Sequence, residues 1–169
     1  MRLLLGGLAA LAISGAAAGA HAAPAANTST AYKVIHQDQG SKSGKKLGGG
    51  LAPMGLMKAT LYHFGAAGVG GKDSLGCKPV AMRTVAVDPT MIPRRTILFI
   101  AETVGMTMPD GSKHDGYWYA SDTGGAIKGN RIDLFTGHGK ASMKPAFKFN
   151  LAKLSVAKAG TFTGCPPAE

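Results

Sequence analysis

From Met57 onward the apolar residues fall in short runs separated by Gly, Pro and Asp. Met57–Phe64 (MKATLYHF) reads as a strand, and Val80–Asp88 (VAMRTVAVD) alternates until Pro89 stops it. Thr96–Thr103 (TILFIAET) is a continuous apolar run between Arg95 and Gly105. Gly116–Asp122 (GYWYASD) is aromatic and ends at Gly124-Gly125, Arg131–Phe135 (RIDLF) is short, and Leu151–Lys158 (LAKLSVAK) alternates again. Six short strands with turn signals between them predict a mainly β fold, a small barrel. A short helix fits Lys140–Phe147, limited by Pro145.

The N-terminal part has a different texture. Residues 1–22 read as a signal peptide: Arg2 gives the positive start, Leu3–Ala18 the apolar stretch, and Ala20-His21-Ala22 the small-x-small cleavage site. That stretch is shorter than the roughly 20 residues of a membrane span. No cysteine follows it to take a lipid. Residues 23–56 hold few large apolar side chains, a basic run at Gln37–Lys46 and Gly48-Gly49-Gly50. This is the composition of a flexible leader, with one short extended piece at Tyr32–His36. The domain is then expected at 57–160 and a tail at 161–169.

Export changes the meaning of the charge. The 169-residue chain has 19 Lys+Arg against 9 Asp+Glu, a net charge of +10. Outside the cell such an excess points to an anionic envelope polymer rather than nucleic acid, with solubility alone as the plain alternative. Cys77 and Cys165 are the two cysteines. In an oxidising compartment an even count favours one disulfide, tying the Pro-rich tail to the body.

The chemistry is densest in Asp122–Phe135 (DTGGAIKGNRIDLF). Three glycines in six residues let backbone amides face outward, and acids flank that loop. If Arg131–Phe135 is a strand, Ile132 and Leu134 point to the core and Arg131, Asp133 and Phe135 outward. Asp133 would then lie beside a guanidinium and an aromatic ring, as in a sugar-binding groove; an Arg131–Asp133 surface ion pair is the alternative. Asp88 and Asp122 each end a strand, where carboxylates cap turns. Three acids at strand ends can also converge in one cleft and raise a pKa. Tyr117 and Tyr119 offer a sugar-stacking surface or core filling, with Trp118 on the opposite face. His36, His63, His114 and His138 lack ligand spacing and read as surface residues, so no metal or organic cofactor is indicated. Asp122-Thr123-Gly124 matches the triplet of aspartic proteases, a weak signal that would require a dimer.

Together, Val85-Ala86-Val87-Asp88-Pro89 with Ile92-Pro93, Asp122–Gly129 and Arg131-Ile132-Asp133-Leu134-Phe135 with Gly137 resemble the three-aspartate (3D) domain of MltA-like lytic transglycosylases. The resemblance covers about Lys58 to Lys158. It implies a six-stranded double-psi β-barrel with one or two short helices, and Asp88, Asp122 and Asp133 as the name-giving acids. It also implies cleavage of the MurNAc-β-1,4-GlcNAc bond of peptidoglycan with a 1,6-anhydroMurNAc product. Asp133 would be the single acid/base, supported by Asp122 and Asp88. Thr123, Gly124, Gly125, Lys128, Arg131, Tyr117 and Tyr119 would contact glycan. The transglycosylases carry a second domain opposite their groove, for which residues 23–169 leave no room; a homodimer is one way to supply that wall. A non-catalytic, expansin-like polysaccharide-binding barrel is the alternative function.

Overall fold

The computed structural model describes residues 50–167; the signal peptide, most of the leader and the piece at Tyr32–His36 lie outside the described residues. Six strands form the domain: β1 (Ala52–Phe64), β2 (Thr84–Val87), β3 (Thr96–Ile100), β4 (Tyr117–Asp122), β5 (Arg131–His138) and β6 (Lys153–Thr161). They close into a barrel in the order β1-β5-β2-β4-β3-β6. The pairs β1–β5 and β2–β4 are parallel and the other four antiparallel. This is the expected mainly β, six-stranded barrel. Among the described residues no helix is long and apolar enough to cross a membrane.

The element boundaries moved for local reasons. β1 takes in residues 52–56, which the sequence assigned to the leader. Its first half is mostly exposed and is held by backbone pairing to β6, so no hydrophobic alternation marks it. Val80–Arg83 is a turn instead of the start of β2: Met82 has φ 55°, and the amides of Arg83 and Thr84 both donate to the Val80 carbonyl. The run after β3 bends into a 3-10 turn at Ala101–Thr103. The helix expected at Lys140–Phe147 is a 3-10 helix, Lys140–Phe149. Pro145 lies inside it.

Alternation places the core. Ala59 on β1, Val85 and Val87 on β2, Leu98 and Ile100 on β3, Trp118 and Ala120 on β4, Ile132 and Leu134 on β5, and Leu154 and Val156 on β6 fill the barrel. Trp118 is fully buried, and its indole Nε1–H donates to Thr103 Oγ1 at 3.0 Å, so its one polar atom is satisfied. Outside the barrel, residues 65–83 form a long connection, and the Cys77–Cys165 disulfide fastens it to the tail. Closing a loop of that separation, 88 residues, removes chain entropy from the unfolded state worth about 4–5 kcal/mol at most.

His114 corrects the sequence reading. It is buried at 1 % exposure, stacked on Trp118 with ring centroids 4.8 Å apart. Its Nδ1 accepts from the Gly116 amide at 2.8 Å, which leaves the proton on Nε2 to donate to the Met82 carbonyl at 2.6 Å. Burial pushes its pKa down to about 4. The unfolded chain therefore binds this proton first as the pH falls from about 6.5 towards about 4, and stability drops across that window by up to about 3 kcal/mol. Urea midpoints measured at pH 7 and pH 4.5 should show this slope in the wild type and a shallower one in His114→Gln. An equal slope in both proteins would assign the acid sensitivity elsewhere.

Candidate active site

One rung across the outside of the barrel holds the acids. Register sets Thr60 on β1 beside Asp133 on β5, Asp133 beside Ala86 on β2, and Ala86 beside Asp122 on β4. Two carboxylates thus flank a residue whose side chain is a single methyl. Asp122 reaches this face through an irregularity. By simple alternation with Trp118 and Ala120 it would point into the core. The β2–β4 register slips, however: Val85 pairs with Ala120 and Ala86 with Asp122, leaving Ser121 as an extra residue. A bulge of this kind re-aims the next side chain.

Each carboxylate has a distinct environment. Asp122 accepts three hydrogen bonds: from the Tyr62 hydroxyl at 2.8 Å, the Ser74 amide at 3.1 Å and the Thr123 amide at 2.8 Å. Ser74 is itself tied down, its hydroxyl donating to the Ser121 carbonyl at 2.9 Å. Burial, with the Asp122 charge adding to it, raises the Tyr62 pKa, so the phenol keeps its proton and donates. Asp133 is half-buried, and its Oδ1 accepts from Thr60 Oγ1 at 2.7 Å. Burial raises the Asp133 pKa first of all and the Asp122 charge raises it further, against the Thr60 hydrogen bond and the Arg131 charge.

Asp88 is not part of this pair. Its Oδ1 accepts from the Thr90 amide and hydroxyl, at 3.0 and 2.8 Å, and its Oδ2 from the Gly129 amide at 2.8 Å. The Gly129 amide, then Thr90, hold its pKa below the usual carboxylate range. Its carboxylate fastens the glycine loop to the end of β2. Gly129 makes this possible with φ 60°. Gly124 packs so closely on the buried Ile127 that a Cβ there would come within 2.9 Å of its side chain.

The other sequence candidates are dispersed. Gly125 and Lys128 are exposed on the loop, and Arg131 Nη1 donates to the Ala126 carbonyl at 3.2 Å. Tyr117 packs edge-on against Phe99 and Tyr119 against Phe162, and neither contact leads to the Asp122–Asp133 pair. Phe135 does face outward from the barrel but is covered, at 1 % exposure, beneath Tyr62 and Phe64. It therefore forms no open ring beside Asp133. Thr60, Tyr62 and Ser74 touch the acids and were not singled out from sequence. Thr60 and Tyr62 share one face of β1, but only the register with β5 gives that spacing meaning. Among the described residues no three His, Cys, Asp or Glu side chains cluster to hold a metal ion.

Residues 83–146 match the model of the 3D domain family. That segment resembles a 3D domain. The match begins beyond β1, so Thr60 and Tyr62 reach Asp133 and Asp122 from outside the matched segment. A search of curated proteins finds no relative of significant similarity. Similar solved structures include the lytic transglycosylase MltA of E. coli, at 25% identity and TM-score 0.41, over 54% of this chain and 28% of that one. They also include the lytic transglycosylase LtgG of Burkholderia pseudomallei, at 29% identity and TM-score 0.38, over 54% of this chain and 26% of that one. E. coli MltA has also been solved with bound chitohexaose, at 25% identity and TM-score 0.41, over 55% of this chain and 28% of that one. The chain spans less than a third of the length of these proteins.

The environment of Asp133 gives ordered expectations. In a carbon-13 NMR titration of Asp-labelled protein, Asp133 should titrate above the usual carboxylate range and Asp88 below it. Asp122→Asn removes a like charge and should lower the Asp133 value. Thr60→Val and Arg131→Gln remove stabilisers of the carboxylate and should each raise it. An Asp133 value insensitive to all three would show that burial alone sets it.

Proposed function

We propose that this chain is a peptidoglycan lytic transglycosylase of the cell envelope, with Asp133 as its single general acid/base. The observation that carries the reading is the Thr60–Asp133–Ala86–Asp122 rung, in which one half-buried carboxyl is pushed up beside a second that accepts three donors. The 3D-domain match over residues 83–146 supports it.

The reaction needs a proton delivered to the glycosidic oxygen and then one removed from the attacking hydroxyl. Glycosidases that use water or an enzyme nucleophile divide these tasks between two carboxyl groups. When the 6-hydroxyl of the same MurNAc attacks the anomeric carbon, the nucleophile is already in place and little activation is required. One carboxyl then serves twice. Asp133 starts protonated, gives its proton to the leaving oxygen as the C1–O bond breaks, and takes the proton of the 6-hydroxyl as the 1,6-anhydro bond closes. Thr60 occupies Oδ1, so Oδ2 is the oxygen that works. In this scheme the charge of Asp122 disfavours early loss of the Asp133 proton and favours the positive charge that develops on the sugar ring. Asp88 acts at a distance, fixing through the Gly129 amide the glycine loop that begins at Thr123 beside Asp122.

Incubation of the protein with isolated peptidoglycan, followed by mass spectrometry of the soluble fragments, tests the scheme. Wild type should release anhydromuropeptides, and Asp133→Asn should lose about 10²–10⁴-fold of that rate, the usual contribution of a positioned acid/base. Asp122→Asn should retain cleavage at a reduced rate, with its pH optimum shifted down. Reducing-end fragments without the anhydro ring would make the enzyme a hydrolase. Sedimentation with the wall and no fragments at all would favour the expansin-like binding barrel.

A further inference from the structure

Next to the acid rung runs a row of cations. Lys58 on β1 pairs with Arg131 on β5 on one side and with Lys153 on β6 on the other. All three alternate with buried neighbours, Met57 and Ala59, Ile132 and Leu154, so the three side chains stand on the outer face that also carries Thr60 and Asp133. Lys58 and Arg131 precede Thr60 and Asp133 by two residues on the same strands, about 7 Å along the sheet.

The row is uncompensated. Like charges set directly opposite on neighbouring strands repel and destabilise a sheet. Among the described residues neither Lys58 nor Lys153 has an ion pair. The acid nearest along β6, Glu102, places both carboxylate oxygens on the Ser155 amide, at 2.9 and 3.0 Å. Arg131 lies close enough to Asp133 to act on its pKa, but its one hydrogen bond goes to a backbone carbonyl. Two lysines without an ion pair, aligned with an arginine beside the proposed reacting carboxyl, form a track for an anion that arrives from outside.

We infer that Lys58, Lys153 and Arg131 form an anion-binding subsite that selects carboxylate-bearing glycan over neutral glycan. The inference rests on the transglycosylase reading for its substrate class, and it adds two residues, Lys58 and Lys153, outside the glycine loop and the matched domain segment. In peptidoglycan a free carboxylate comes from the stem where MurNAc carries one, and from the lactyl group only where the stem is absent, because the amide bond to the stem uses the lactyl carboxyl. A row about 7 Å from Asp133 meets groups carried by the sugar units next to the cleaved bond.

The test measures binding apart from turnover, using the full chain with Asp133→Asn. Calorimetric titrations with soluble stem-bearing peptidoglycan fragments, with peptide-free glycan strands and with neutral chitohexaose are compared at low and high salt. Both carboxylate-bearing ligands should bind more tightly than chitohexaose. The preference should shrink as salt screens the row. Adding Lys58→Gln and Lys153→Gln should reduce it by about tenfold in all, a modest contribution from each exposed cation. The Arg replacements should restore it. Lys113→Gln with Lys158→Gln, exposed lysines in the connection before β4 and on β6, should leave it unchanged. Tighter binding of the stem-bearing fragments would assign the row to the stem, tighter binding of the peptide-free strands would assign it to the lactyl carboxylate, and equal tightness would show that the row takes either. Equal affinity for neutral and anionic glycans, or equal losses from the Lys113 and Lys158 pair, would overturn the subsite. A preference of this kind in a protein whose wild type releases no fragments would keep the subsite and remove the transglycosylase.

Discussion

The extra residue at Ser121 decides the geometry of everything near the acids. Without it Asp122 would share the parity of Trp118 and Ala120 and meet the apolar interior, where an isolated carboxylate costs many kcal/mol. With it, the side chain emerges on the outer face across Ala86 from Asp133. A larger residue than alanine at that point of the rung would wedge the carboxyls apart. The pairing of a small side chain with a bulge brings two like charges close while keeping the barrel interior fully apolar around them.

Proximity alone would be unfavourable, and the surroundings divide the two acids into different roles. Asp122 receives donors from three separate segments: β1 through Tyr62, the long connection through Ser74, and the glycine loop through Thr123. Asp133 receives one side-chain donor and is half-buried. The asymmetry in hydrogen bonding gives two neighbouring carboxyl groups different surroundings, and of the two it is Asp133 whose burial and charged neighbour raise its pKa.

Much of the barrel was legible in the chain because each strand has a buried and an exposed side, and period-2 alternation reports that directly. The outward position of Asp133 followed from Ile132 and Leu134 in the same way. Residues 52–56 were not legible, since backbone pairing to β6 holds them and their side chains carry no pattern. His114 was misread because a polar turn surrounds it in sequence, whereas its ring is enclosed by Trp118 and two backbone partners. Asp122 was singled out for its place before the glycines, yet its orientation depends on a register slip that no residue spells out. Thr60 and Tyr62 acquire meaning only through parallel pairing with a strand some 70 residues downstream.

That long-range pairing has a further consequence for how the protein comes into being. β1 hydrogen-bonds to no strand near it in sequence; its neighbours are β5 and β6, the two latest. The donors to Asp133 and Asp122 on β1 therefore wait until nearly the whole domain is present, and Ser74 waits besides on a connection whose anchor, Cys165, follows β6. Folding with such contacts is slow, because loop-closure entropy is met before any reward. A partly folded chain has the acids but not their arrangement, which forms only where the complete domain has gathered.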